Sequence, residues 1–141
     1  AEAVAQVEAI MKAAEAEGVP DFVLNARTDA FPRAGGRPQE EVLADAVERG
    51  KAYLDAGAPV IFVPGMLSDE QVVTLTEAFG PQRLTVVGIP GIPSQERLAE
   101  LGVARVSYGP LSQRVALTAL AELVESIHEG GSIPANTRPL N

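Results

Sequence analysis

The sequence predicts an α/β fold in which four parallel strands alternate with helices, and three observations carry that expectation. Four short apolar runs, at residues 22–24, 59–63, 84–87 and 103–107, are each followed by a stretch with helical spacing. The turns leading from helix into strand at Gly57-Ala58 and Gly102-Val103 are tight, whereas the segments leaving the strands are longer and rich in Gly and Pro. Repeated strand-helix units with apolar strands imply a parallel sheet covered by helices. Four such strands are half of an eightfold barrel. Left open they expose two unpaired edges, which a second half, another copy or the helices of an open sandwich would have to cover.

Taken in order, residues 1–17 place Val4, Val7, Ile10, Met11 and Ala14 at helical spacing and stop at Gly18. This helix opens without an N-cap residue or initiator Met, as expected of a chain cut in its middle. The run Phe22-Val23-Leu24 follows the breaker Gly18-Val19-Pro20 and reads as a buried strand that gives way at once to Asn25, Arg27, Thr28 and Asp29. Residues 31–38 hold two Pro, two Gly and two Arg, the composition of either a mobile lid or an ordinary surface loop. A helix is expected over residues 39–56, with Gly57 ending it in the left-handed conformation. The strand at 59–63 begins with proline, which is tolerated at that position, and runs into Pro64 and Gly65.

Ser68 is placed to cap a helix over 69–79, whose acidic first turn complements the helix dipole, with Gly80-Pro81 as its stop. The strand at 84–87 ends in Gly88-Ile89-Pro90-Gly91, and Ser94 caps a short helix reaching Leu101. The strand at 103–107 leads to Tyr108, Gly109 and Pro110. In the last helix, 111–128, Val115, Leu117, Leu120, Leu123, Val124 and Ile127 spread widely enough to suggest burial on more than one side. Domain limits of 1–129 for the strand-helix units and 130–141 for an extended tail follow.

Composition narrows the function. Nineteen acidic against eleven basic residues leave a formal charge of −8 and no basic stripe, which argues against nucleic acid and anionic membrane surfaces as partners. The absence of cysteine removes disulfides, thiolate nucleophiles and Cys-based metal sites, and fits a cytoplasmic protein. No apolar stretch is long enough to span a bilayer. Gly50-Lys51 lacks the upstream glycine of a phosphate loop, and Gly88-Ile89-Pro90-Gly91 lacks the rest of a dinucleotide fingerprint. An anionic ligand would therefore be held locally.

The guanidinium of Arg27, the hydroxyl of Thr28 and the carboxylate of Asp29 stand where parallel strands deliver ligand-binding groups, at a carboxyl end. They read either as a site or as an Arg27–Asp29 ion pair fixing a loop. Gly109-Pro110 opens a helix whose amides could receive an anion or could simply begin the helix, and Tyr108 could bind a ligand or pack. His128, the only histidine, sits where a cation suits the C-terminal end of the helix dipole.

Asn25-Ala26-Arg27-Thr28-Asp29, the pairing of Ala56-Gly57-Ala58 with Ile61-Phe62-Val63-Pro64, and Leu101-Gly102-Val103-Ala104-Arg105-Val106-Ser107 with Gly109-Pro110 together resemble the isocitrate lyase/phosphoenolpyruvate mutase family. The resemblance runs over nearly the whole chain. It implies the C-terminal half of a (β/α)8 TIM barrel, belonging to a lyase or hydrolase that acts on a small 2-oxo or hydroxy carboxylic acid through an enolate. It further implies a Mg²⁺ cofactor with ligands in the N-terminal half, and a homo-oligomer that exchanges its last helix. Arg27 matches the family's strand-end arginine that contacts the substrate's anionic group; Asn25, Asp29, Pro64, Gly88, Tyr108 and Gly109 are the further substrate-binding candidates. Pro64-Gly65 stands where the mutases carry a His-Ser pair and methylisocitrate lyases a glutamate, and Gly88-Ile89-Pro90-Gly91 stands where the lyases carry Asn and hydroxyl residues. The pocket is thus expected to differ from both. The competing expectation is a non-catalytic, self-associating half-barrel or interaction module, since no acidic cluster follows a metal-ligand pattern.

Overall fold

A computed structural model describes residues 1–139. The chain divides into two compact units, Ala1–Ser107 and the segment from Tyr108 onward. In the first, α1 (Glu2–Ala16) precedes β1 (Asn25–Arg27), α2 (Gln39–Asp55), β2 (Val60–Phe62), α3 (Asp69–Phe79), β3 (Leu84–Val87), α4 (Gln95–Glu100) and β4 (Arg105–Ser107); in the second, α5 spans Leu111–His128.

The strands form one parallel sheet in the order β1-β2-β3-β4. Sequential order decides the architecture. Right-handed crossovers that always step in the same direction place every connecting helix on the same face, whereas a doubly wound sheet must reverse direction to cover both. One face is therefore covered and the other bare, which is half of a barrel opened out.

Ladder register and burial identify the two faces. Ala26, Ile61, Val63, Leu84 and Val86 point to the helices and form the core with Val7, Val42, Ala46, Tyr53, Val72, Leu75, Phe79 and Leu98. Side chains one position out of step, Asn25, Arg27, Val60, Phe62, Thr85, Val87, Arg105 and Ser107, project from the bare face.

Local chemistry sets the helix limits. Ser68 makes a capping box on α3: its Oγ accepts from the Gln71 amide at 3.3 Å, and its own amide donates to Gln71 Oε1 at 2.9 Å. Ser94 caps α4 with a single bond, its Oγ accepting from the Arg97 amide at 3.2 Å. Gly57, at φ +98°, turns the chain out of α2 as expected. Gly50 lies buried in α2 because the Phe79 ring occupies the space a side chain would fill, so α2 and α3 cross closely there.

Two expectations are corrected. The first strand is Asn25–Arg27 rather than 22–24, and Phe22 and Val23 are exposed. The partner strand explains it: alternate residues of β2 face β1, and the amide next in line before Val60, that of Ala58, donates to the Tyr53 carbonyl at 2.9 Å instead of to β1. The last helix is not buried on more than one side. No residue of α5 is buried, Leu123 is half-buried, and Val115, Leu117, Leu120, Val124 and Ile127 are exposed, because one helix and a tail have no second layer of their own. The tail beyond α5 is irregular apart from a turn in which the Thr137 amide and hydroxyl both donate to the Pro134 carbonyl. Of the segment expected to be extended, Leu140 and Asn141 lie outside the described residues.

Candidate active site

Arg27 is the last residue of β1 and emerges on the bare face, with its side chain 53% exposed. Its Nε donates to Asp29 Oδ1 at 2.6 Å, and its guanidinium carbon lies 5.8 Å from the centroid of the Phe62 ring, its registered neighbour on β2. Asp29 also faces Arg33 across 3.7 Å. The ion pair is present, yet it engages only the Nε edge, and the two terminal nitrogens have no partner among the described residues. Stacking on Phe62 and the Asp29 contact hold the fork in one orientation, which lowers the entropy lost when it takes an oxyanion.

Thr28 does not belong to this group. It faces the helices at 1% exposure, its amide donates to the Phe62 carbonyl, and its hydroxyl accepts from the Ala30 amide in a tight turn. Strand alternation decides this: Asn25, Arg27 and Asp29 share one parity and Thr28 the other.

Asn25 lies on the bare face two residues before Arg27, and its Oδ1 is buried without a hydrogen-bond partner among the described residues. Thr85 Oγ1, on β3, is in the same condition. Buried polar atoms usually find partners, and both of these orphans sit on the sheet face opposite the helices of the first unit. A cleft of about 190 Å³ follows the open edge of β1 beside α1, lined by Gln6, Val7, Ile10, Leu24, Asn25, Arg27 and Tyr53 among others.

Pro64 is buried just beyond β2. The following Gly65 lets the loop after β1 approach, since a Cβ there would come within 2.9 Å of Phe31 Cβ. Gly88 does not offer its amide to a ligand, because that N–H donates to the Ser107 carbonyl at 2.9 Å and extends the β3–β4 ladder. The loop at 31–38 is tied down at its far end, where Arg37 pairs with Asp45 at 3.1 Å and also donates to the Glu41 carbonyl. Tyr108 and Gly109 open the second unit. There Tyr108 is 44% exposed, Gly109 has φ +51°, and no side chain caps α5.

Arg105, Thr85 and Phe62 are bare-face residues that inspection of strand ends overlooks. Their signal in the sequence is alternation, with Arg105 and Ser107 on one side of β4 and Val106 in the core packing on the other. Among the described residues no group of three or more His, Cys, Asp or Glu could hold a metal ion, and the bare-face strand residues include no carboxylate. These residues alone therefore do not fit Mg²⁺, and what they supply to chemistry is cationic.

The sequence profile of phosphoenolpyruvate phosphomutase matches residues 1–128. The chain belongs to this family. An oxaloacetate decarboxylase from Paraburkholderia xenovorans is 33% identical over 129 residues, covering 92% of this chain and 40% of that protein. A phosphoenolpyruvate phosphomutase from Streptomyces hygroscopicus is 30% identical over 116 residues, 80% of this chain and 35% of the relative. Among solved structures, a phosphonomutase candidate from Burkholderia cenocepacia J2315 superimposes with a TM-score of 0.78 at 38% identity, covering 91% of this chain and 50% of its own. The chain thus spans between a third and a half of the length of these phosphomutase-family relatives. The four strands and their helices correspond to half of the relatives' TIM barrel, which accounts for a sheet with one uncovered face.

Proposed function

We propose that these residues form part of a lyase of the isocitrate lyase/phosphoenolpyruvate mutase type, acting on a small 2-oxo or hydroxy carboxylic acid through an enolate, with Arg27 as the group that receives the substrate's negative charge. The observation that carries this is the half-engaged guanidinium. Asp29 occupies its Nε edge and Phe62 lies against it, so the terminal nitrogens point as a preset fork from a strand's carboxyl end. Such a fork pairs bidentately with a carboxylate or stabilises oxyanion charge as it develops, and needs no reorganisation at the moment of reaction. Asp29 is then a positioning residue. Asn25 lines the same face, and Pro64 and Gly88 contribute backbone shape rather than charge. Relatives named for oxaloacetate, phosphoenolpyruvate and 2,3-dimethylmalate support an acid of this class. The Mg²⁺ implied by the resemblance would be bound by ligands other than those described above.

The test is turnover of a panel of 2-oxo and 2-hydroxy acids by the intact protein supplied with Mg²⁺, comparing wild type with Arg27→Ala and Arg27→Lys. Losing one preset oxyanion donor should cost about 3 kcal/mol of barrier, a fall of roughly a hundredfold or more in kcat. Lysine should restore little, because a point charge cannot reproduce the fork. Unchanged turnover in Arg27→Ala removes Arg27 from the chemistry.

A second reading is favoured by the two open sheet edges and by the exposed apolar side chains of α5: a non-catalytic module that completes its barrel by self-association. It predicts an oligomer that turns over no acid in the panel. Self-association through α5 is compatible with the enzymatic reading as well, and light scattering of Leu120→Glu checks it, with loss of the oligomer expected.

A further inference from the structure

One row of registered residues crosses the bare face from edge to edge. Arg27 is paired with Phe62, Phe62 with Thr85, and Thr85 with Arg105. Residues opposite one another in a parallel ladder project from the same face, so the row carries a guanidinium at each end with a ring and a hydroxyl between them. Three inter-strand steps separate the two arginine backbones by roughly 14 Å. Arg105 is exposed and has no hydrogen-bond or ion-pair partner among the described residues. The strand residues on this face include two arginines and no acid, in a chain whose formal charge is −8. Arg105 is unpaired and Arg27 is paired with Asp29 only along its Nε edge, so two incompletely neutralised cations on one face of an acidic protein make a local anion field. Thr85, between them, has an Oγ1 that is fully buried and unpartnered.

We propose that Arg105 is a second anion-binding residue of the site, holding the far carboxylate of a ligand whose near anionic group is on Arg27. This rests on the reading of Arg27 given above. The row then acts as a ruler: a ligand with acidic groups at both ends engages both forks, and a ligand with one acidic group engages only Arg27. Phe62 forms an apolar floor between the two ends. Arg105 thereby sets specificity for diacids over monoacids and takes no part in bond breaking.

The test uses the intact protein and two probes of equal chain length, succinate and butyrate, with binding followed by calorimetry. Wild type should prefer succinate. Arg105→Met should lower that preference on the order of tenfold while leaving butyrate binding unchanged, the usual scale for losing one charge-assisted pair. Arg27→Met should weaken both acids. An unchanged succinate preference in Arg105→Met, with Arg27→Met weakening both, overturns the role of Arg105 and leaves Arg27 standing. If wild type binds neither acid, or binds them regardless of Arg27, both assignments fall. Should Arg105→Met not fold, Arg105→Lys decides on the same ratio, with a smaller loss expected.

Discussion

Replacing Gly50 with alanine sets two effects of known sign against each other. In a helix interior the substitution removes backbone freedom from the unfolded chain and should stabilise α2 by about 1 kcal/mol. At this position the new Cβ would lie well inside contact distance of Phe79 Cζ and Cε1, and 3.2 Å from Cε2. The ring would have to retreat by roughly 1.5 Å to reach ordinary carbon–carbon separation. Phe79 is only 4% exposed and packs within the core, so the shift propagates into its neighbours. Overpacking of this kind costs about 1–3 kcal/mol, which offsets or exceeds the propensity gain, and the net expectation is a loss of up to about 2 kcal/mol. Urea unfolding of the intact protein should show a lower midpoint with an unchanged slope. The double-mutant cycle is more discriminating. In a Phe79→Leu background the space is free, so Gly50→Ala should become neutral or stabilising, giving a coupling of about 2 kcal/mol between the two sites. A stabilising Gly50→Ala in the wild-type background, or zero coupling, would refute the close crossing of α2 and α3 as the reason for this glycine.

Ser68→Ala should cost about 1 kcal/mol and speed hydrogen exchange in the first turn of α3, because two amide hydrogen bonds depend on the capping box; an unchanged urea midpoint would show that water replaces the cap without cost. Asp45 lies at 2.6 Å from Arg49 Nε and 3.1 Å from Arg37, and the hydrogen bond from Arg49 above all holds its carboxyl below the usual aspartate range, burial opposing. A depressed folded-state pKa contributes stability that is fully present above the unfolded value of about 3.9 and disappears as pH falls through the folded value. Asp45→Asn should therefore be less stable than wild type at neutral pH, with the gap closing below about pH 4. A gap that stays constant across that range would mean the ion pair contributes nothing.

Much of the fold can be read without coordinates because its determinants are local. Ser68 and Ser94 accept from amides three residues ahead, and Gly57 adopts a positive φ that side chains avoid, so the limits of α2, α3 and α4 follow from single residues and their near neighbours. The sequential strand order also follows, once the strand-helix units resemble half of a barrel. The candidate site was legible only where chemistry coincided with a strand end, at Arg27 and Asp29.

What remained depended on partners distant in the chain. Whether β1 begins at Phe22 or Asn25 is decided by Ala58, more than thirty residues away, whose amide donates to the Tyr53 carbonyl and so is lost to the ladder. That start sets the parity, and parity sends Thr28 into the core while turning Arg27 outward beside Phe62. The same register, carried through β2 and β3, puts Arg105 in line with Arg27 although 77 residues (105 − 27 − 1) lie between them. Amino-acid types by themselves determined the α/β class, the helix boundaries and one arginine at a strand end. Only the paired sheet decided which polar groups share a face, because a strand's register is set by hydrogen bonds to its neighbours and a slip of one residue would exchange every side chain between the core and the bare face.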